Sequence, residues 1–137
     1  MFPDIEKLDS LAADVDYRTL SGLSLAFIGD AVYELLIRKH ILSRGEARVK
    51  DLHKDTVRLV NADFQADMTD VLLPILREDE LAVFKRGRNA HAGHTPKNKS
   101  EAQYHKSTGF EALIGYLYLK KDFERLEFIF SEVLANE

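Results

Sequence analysis

Two carboxylates sit where carboxylates are costly. Asp30 falls in the middle of LAFIGDAVYELLIR, residues 25–38, and Glu111 in the middle of TGFEALIGY, residues 108–116. An unpaired ionised carboxylate in an apolar environment costs several kcal/mol, comparable to the whole net stability of a domain. Gly29 and Ala31 flank the first acid, and Ala112 and Gly115 follow the second. Small residues at those positions let two helix backbones approach closely, which would bring Asp30 and Glu111 together. Two carboxylates converging in a dry place share a proton or hold a cation. A hard divalent ion such as Mg²⁺ is commonly held by one or two carboxylates with water and substrate phosphate. The alternative is a pair of structural ion pairs, Asp30 with Arg38 or Arg58 and Glu111 with Lys106. Glu34, one turn after Asp30, either orients a partner of the site or pairs with Arg38. The chain has no cysteine, which excludes disulfides and thiolate metal sites, and no Ser-His constellation stands out.

The elements that must position these acids read as helices. Residues 21–43 form a long apolar segment closed by Ser43-Arg44-Gly45, with Gly45 as its C-terminal cap. Residues 50–73 show helical spacing through Leu52, Val57, Val60, Phe64, Met68, Val71 and Leu72, with a break near Asn61, before Pro74. A short helix covers 78–86, and NAHAGHTPKNK, residues 89–99, has loop chemistry. Ser100 and Gln103 have capping-box spacing and open the helix that carries Glu111, and Asp122 caps a last helix. No segment alternates with period two and no repeat is present. The expectation is an all-α, single-domain helical bundle over residues 1–137, with 1–19 as an N-terminal extension. The helices over 21–43 and 104–120 are apolar nearly all round, so both are expected to be central and buried.

Charge is distributed unevenly. The 137 residues carry a formal net charge of -4, yet the window from Lys85 to Lys106 holds six basic residues against Glu101 alone, +5 in all. His91, His94 and His105 lie in the same window. This reads as a local anion-binding patch on an acidic body, against the alternative of a solvated loop rich in lysine. No apolar run is long and charge-free enough to span a bilayer. The acidic N-terminus is not a signal peptide. A cytoplasmic location and no membrane partner are expected.

The segments SGLSLAFIGDAVYELLIRKHIL, DLHK (51–54), FKRGRNAHAGHTPKN (84–98) and FEALIGYLYL (110–119) together resemble the ribonuclease III family. The closer resemblance is to its Mini-ribonuclease III branch, which lacks a double-stranded-RNA-binding domain. The resemblance implies an all-α endonuclease domain that works as a homodimer. It would cut both strands of duplex RNA with Mg²⁺, Mn²⁺ being a substitute, and leave 5′-phosphate ends. Asp30 and Glu111 match the family's catalytic, metal-holding acids. Ala26 and Thr108 stand where larger members carry two further acids, which leaves more of the coordination shell to water or RNA phosphate. In the basic segment Lys85, Arg86, Arg88, Asn89, Lys97 and Asn98 are candidate RNA contacts. The implied substrate is precursor large-subunit (23S) ribosomal RNA, with large-subunit ribosomal proteins as companions on it. The readings from other classes are a non-catalytic duplex-RNA-binding module and a helical interaction protein with structural acids.

Overall fold

The computed structural model describes residues 10–90 and 100–137. Six α-helices follow in order: α1 (Gly22–Ser43), α2 (Val49–Val60), α3 (Ala62–Leu72), α4 (Glu78–Asn89), α5 (Glu101–Leu119) and α6 (Phe123–Ala135). Short 3₁₀ turns at Tyr17–Thr19 and Leu73–Ile75 lead into α1 and out of α3. There is no strand among the described residues, and the all-α bundle expected from periodicity is the fold observed.

Polar side chains punctuate the helices where the sequence places them. Ser21 caps α1 by accepting the Ser24 N–H at 3.1 Å, and Gly45 follows the helix with φ of 122°, in the left-handed region that glycine enters without a Cβ penalty. The break near Asn61 is real. Asn61 leaves helical geometry, its Oδ1 accepts the Phe64 N–H that opens α3 at 2.9 Å, and its Nδ2 donates to the Val57 carbonyl that closes α2 at 2.9 Å. Pro74 falls in the 3₁₀ turn that ends α3. Ser100 accepts the Gln103 N–H at 3.1 Å. The rest of the anticipated capping box takes another form, with the Ser100 hydroxyl bonded to Gln103 Oε1 at 3.2 Å. α5 ends with Lys121 in the left-handed region at φ 64°. There Lys121 N–H bonds the Tyr118 carbonyl and Asp122 N–H the Leu117 carbonyl, each at 3.0 Å, which satisfies two carbonyls a helix end leaves open. Asp122 then caps α6 through the Arg125 N–H, as its position suggests.

α5 is the central element. Ser107 through Phe110 and Ala112 through Leu117 are all buried, and α1, α3, α4 and α6 pack around it. α1 does not match the expectation of burial all round. Leu25, Tyr33, Ile37 and Ile41 face the core, while Phe27, Asp30, Ala31 and Leu35 face solvent. A helix apolar on every side carries no pattern that distinguishes the two faces, so its sequence cannot announce an exposed one.

Glycines set the distance between α1 and α5. A Cβ on Gly29 would strike the Glu111 carbonyl oxygen and lie 2.7 Å from the Gly115 nitrogen; one on Gly115 would strike the Leu25 carbonyl oxygen. The two helices therefore run antiparallel, backbone against backbone. A second constraint ties α4 to α6. Glu80, fully buried, receives a bidentate Arg125 guanidinium at 2.7 and 2.9 Å and the Arg77 N–H at 2.8 Å. Arg125 also donates to the Ile75 carbonyl at 2.7 Å.

Because the atoms facing Gly29 are backbone, no side chain can rotate away to admit a methyl group. Gly29→Ala is expected to cost about 3 kcal/mol of unfolding free energy, the upper end for overpacking. Urea unfolding measures this, and a loss below about 1 kcal/mol would show the helices can separate cheaply.

Candidate active site

The close approach at Gly29 and Gly115 brings the two acids together. The Asp30 and Glu111 carboxyl groups, one on α1 and one on α5, meet within hydrogen-bonding reach. They do not sit alike. Glu111 is half-buried and Asp30 exposed, so the expectation of an Asp30 sealed in an apolar environment is corrected. The helix is apolar around Asp30, but that side of it faces water. Burial first, then the Asp30 carboxylate beside it, pushes the Glu111 carboxyl up to about 9.

The structural ion pairs considered for these acids do not form. Arg38 pairs with Glu34 at 2.9 Å, the plain reading of Glu34, and Lys106 pairs with Asp70 at 3.0 Å. No base among the described residues lies within ion-pair distance of Asp30 or Glu111. His105 is half-buried and stands 3.5 Å from Glu101.

Two residues not singled out by the sequence complete the surroundings of Glu111. Gln65 on α3 is buried, reaches the Glu111 carboxyl and favours its charged form. Its Nε2 nevertheless closes no hydrogen bond of good geometry. Tyr33 on α1 donates its hydroxyl to the Leu59 carbonyl at 2.6 Å and stacks edge-on against Phe110. Burial, and then the charge of Glu111, raises its pKa. The one sequence signal for Gln65 is an amide on the stripe that includes Met68 and Leu72, at i, i+3 and i+7.

The donor set fits a hard divalent cation in part. Two converging carboxylates without a neutralising base suit Mg²⁺, but no cluster of three or more metal-ligating side chains exists among the described residues. Among the described residues, Asp30 and Glu111 are thus joined by no third His, Cys, Asp or Glu that could hold an ion with them.

The basic segment is only partly in view. Lys85, Arg86, Arg88 and Asn89 close α4, which runs to Asn89 and so is longer than its periodicity suggested. Lys85, Arg86 and Asn89 are exposed. Arg86 also donates to the Leu20 carbonyl, fastening the chain just before α1. Arg88 lies 5.7 Å over the Phe84 ring and donates to Asn89 Oδ1. Lys97, Asn98 and the rest of the 91–99 stretch lie outside the described residues.

The raised pKa of Glu111 makes stability depend on pH. In the unfolded chain the group titrates near 4.5, and in the fold near 9. Its contribution is complete below pH 4.5 and is lost as pH rises towards 9, because the unfolded state gives up the proton first. In EDTA, stability should fall over that range by up to about 1.4 kcal/mol per pH unit from this group. Glu111→Gln should flatten the slope and melt above wild type at alkaline pH. Parallel pH profiles for the two proteins would show that Glu111 is not the strained group.

A family model described as Ribonuclease III domain matches residues 23–122, which span both acids. Mini-ribonuclease 3 of Symbiobacterium thermophilum is 50% identical over 116 residues, covering 85% of this chain and 86% of that protein. Mini-ribonuclease 3 of Clostridium tetani is 45% identical over 120 residues, 87% and 80% of the two chains. The crystal structure of a Fusobacterium nucleatum protein superposes with a TM-score of 0.80 at 34% identity, covering 90% of this chain and 99% of that one. With two facing acids on a helical bundle of this shape, the chain belongs to the ribonuclease III family, in its Mini-ribonuclease III branch.

Proposed function

We propose that this endoribonuclease hydrolyses both strands of double-stranded RNA with a divalent cation, Mg²⁺ or in its place Mn²⁺, held between Asp30 and Glu111. The observation that carries the reading is the meeting of those two carboxyls with no base among the described residues beside them. A cation there supplies Lewis-acid polarisation of the phosphodiester and acidifies water, so no protein nucleophile is needed. Asp30, on the solvent side of α1, offers its carboxylate where a duplex can reach it. Glu111, held by the close α1–α5 contact, fixes the inner side of the site. Lys85, Arg86, Arg88 and Asn89 on α4, with Lys97 and Asn98, grip phosphates and sugar hydroxyls by shape more than by sequence. The physiological substrate proposed is precursor 23S ribosomal RNA, on the strength of the family resemblance.

The working form is proposed to be a homodimer. Phe27 is 83% exposed and Leu35 56%, and with Ala31 they fall at i, i+4 and i+8 along the face of α1 that also carries Asp30. A contiguous apolar stripe of this kind marks an interaction surface. A two-fold copy of the chain seated on it would present one site to each RNA strand.

Duplex RNA, single-stranded RNA and duplex DNA, each with Mg²⁺ or EDTA, test the reading directly. Cleavage should be confined to duplex RNA with metal. Asp30→Asn should lose about a thousandfold in turnover, a few kcal/mol of barrier, while keeping helicity and duplex binding. Binding without cutting by the wild-type protein would make it a non-catalytic module.

Phe27→Asp puts a charge into the proposed dimer face without touching the core. Sedimentation should show wild type as a dimer at micromolar concentration and the variant as a monomer. A monomeric wild type sinks the dimer.

A further inference from the structure

Gln65 is 2% exposed, on the core face of α3 beside Ala66, Met68, Thr69 and Leu72. Its polar neighbour there is satisfied, since the Thr69 hydroxyl donates to the Gln65 backbone carbonyl at 2.9 Å. The Gln65 side-chain amide is different. Its Nε2 is buried and closes no hydrogen bond of good geometry, while Glu111, across the α3–α5 contact, is the carboxyl within its reach. Buried donors nearly always have partners, and an exception in a native fold needs a reason. An apolar residue of the same length would fill this position without leaving a donor unpaired.

We propose that Gln65 is a positioning residue of the catalytic site, its Nε2 donating to Glu111 and holding that carboxylate in the orientation that receives the divalent cation. This rests on the function proposed above and deepens it. An amide is the suitable group, because it donates a hydrogen bond without bringing a positive charge that would compete with the ion. Hydrogen bonds in catalytic sites are often long or poorly aligned before the ligand arrives and tighten in the complex, which accounts for the loose geometry of this one. The role gains weight where, among the described residues, no third acid, histidine or cysteine joins Asp30 and Glu111. With so few protein ligands, the orientation of each decides more of the affinity. Groups that orient a metal ligand through a hydrogen bond are typically worth about 10- to 100-fold in metal affinity or activity.

The test uses Mg²⁺ alone as the first probe. Melting temperature is followed from EDTA through a Mg²⁺ titration for wild type and for Gln65→Met, which keeps length and burial but has no donor. The variant should melt at or above wild type in EDTA and need about tenfold more Mg²⁺ for half of the stabilisation. On duplex RNA at fixed Mg²⁺ its kcat should fall by a similar factor with KM for RNA unchanged. A variant that melts lower in EDTA yet keeps the wild-type Mg²⁺ midpoint and kcat would make Gln65 a core residue only and overturn the proposal. A measurement on the unaltered protein decides the matter if the variant does not fold. The Gln65 side-chain amide resonances should shift when Mg²⁺ is added, and resonances that stay in place overturn the proposal. A wild-type protein whose melting and RNA cleavage both ignore Mg²⁺ sinks the functional reading as well, and so is told apart from a failure of Gln65 alone.

Discussion

The contact of α1 with α5 at Gly29 and Gly115 is the constraint on which the rest depends. Side chains normally hold helix axes 8–10 Å apart. Here the absence of two Cβ atoms lets carbonyl and amide groups of one helix touch the other. The consequence for packing is that α5 becomes the axis of the bundle. The consequence for chemistry is that two short acidic side chains reach each other from different helices. The site is thus built on two closely packed helices, which hold a catalytic group better than a loop would.

That placement carries an energetic conflict. The fold brings a partly buried carboxyl against a second acid, and no described residue provides a base to neutralise them. Elsewhere the same chain handles a buried acid differently. Glu80, more deeply buried than Glu111, has a bidentate Arg125 and a backbone N–H. A fully buried acid with its base and a half-buried acid without one separate a structural solution from a functional one. Strained groups of this kind cluster at active sites, where the strain belongs to the mechanism.

Much of this was legible in the sequence, for physical reasons that differ by residue. Asn61 announced a helix break because its side chain satisfies backbone groups on both sides. Gly29 and Gly115 announced the close approach because nothing else fits one. The exposure of Asp30 was illegible, since α1 is apolar on its solvent face as well as its core face. The Glu80–Arg125 pair joins residues 45 positions apart, a separation across which no periodicity reaches. Gln65 was hidden by its context, a single amide in a helix whose other core positions read as ordinary packing. Its meaning comes from the neighbour on α5 that it faces.

The Glu80–Arg125 pair also bears on how the molecule comes apart. A terminal helix held only by apolar contacts can fray while the rest of a domain persists. α6 is not held that way. If it lifted off alone, Arg125 would leave behind a fully buried carboxylate and an open Ile75 carbonyl, and exposing or stranding those groups is costly. The last helix is thereby bound into the same cooperative unit as α4. Its amides should exchange with solvent mainly through global opening, and the chain's C-terminal end shares the fate of its centre.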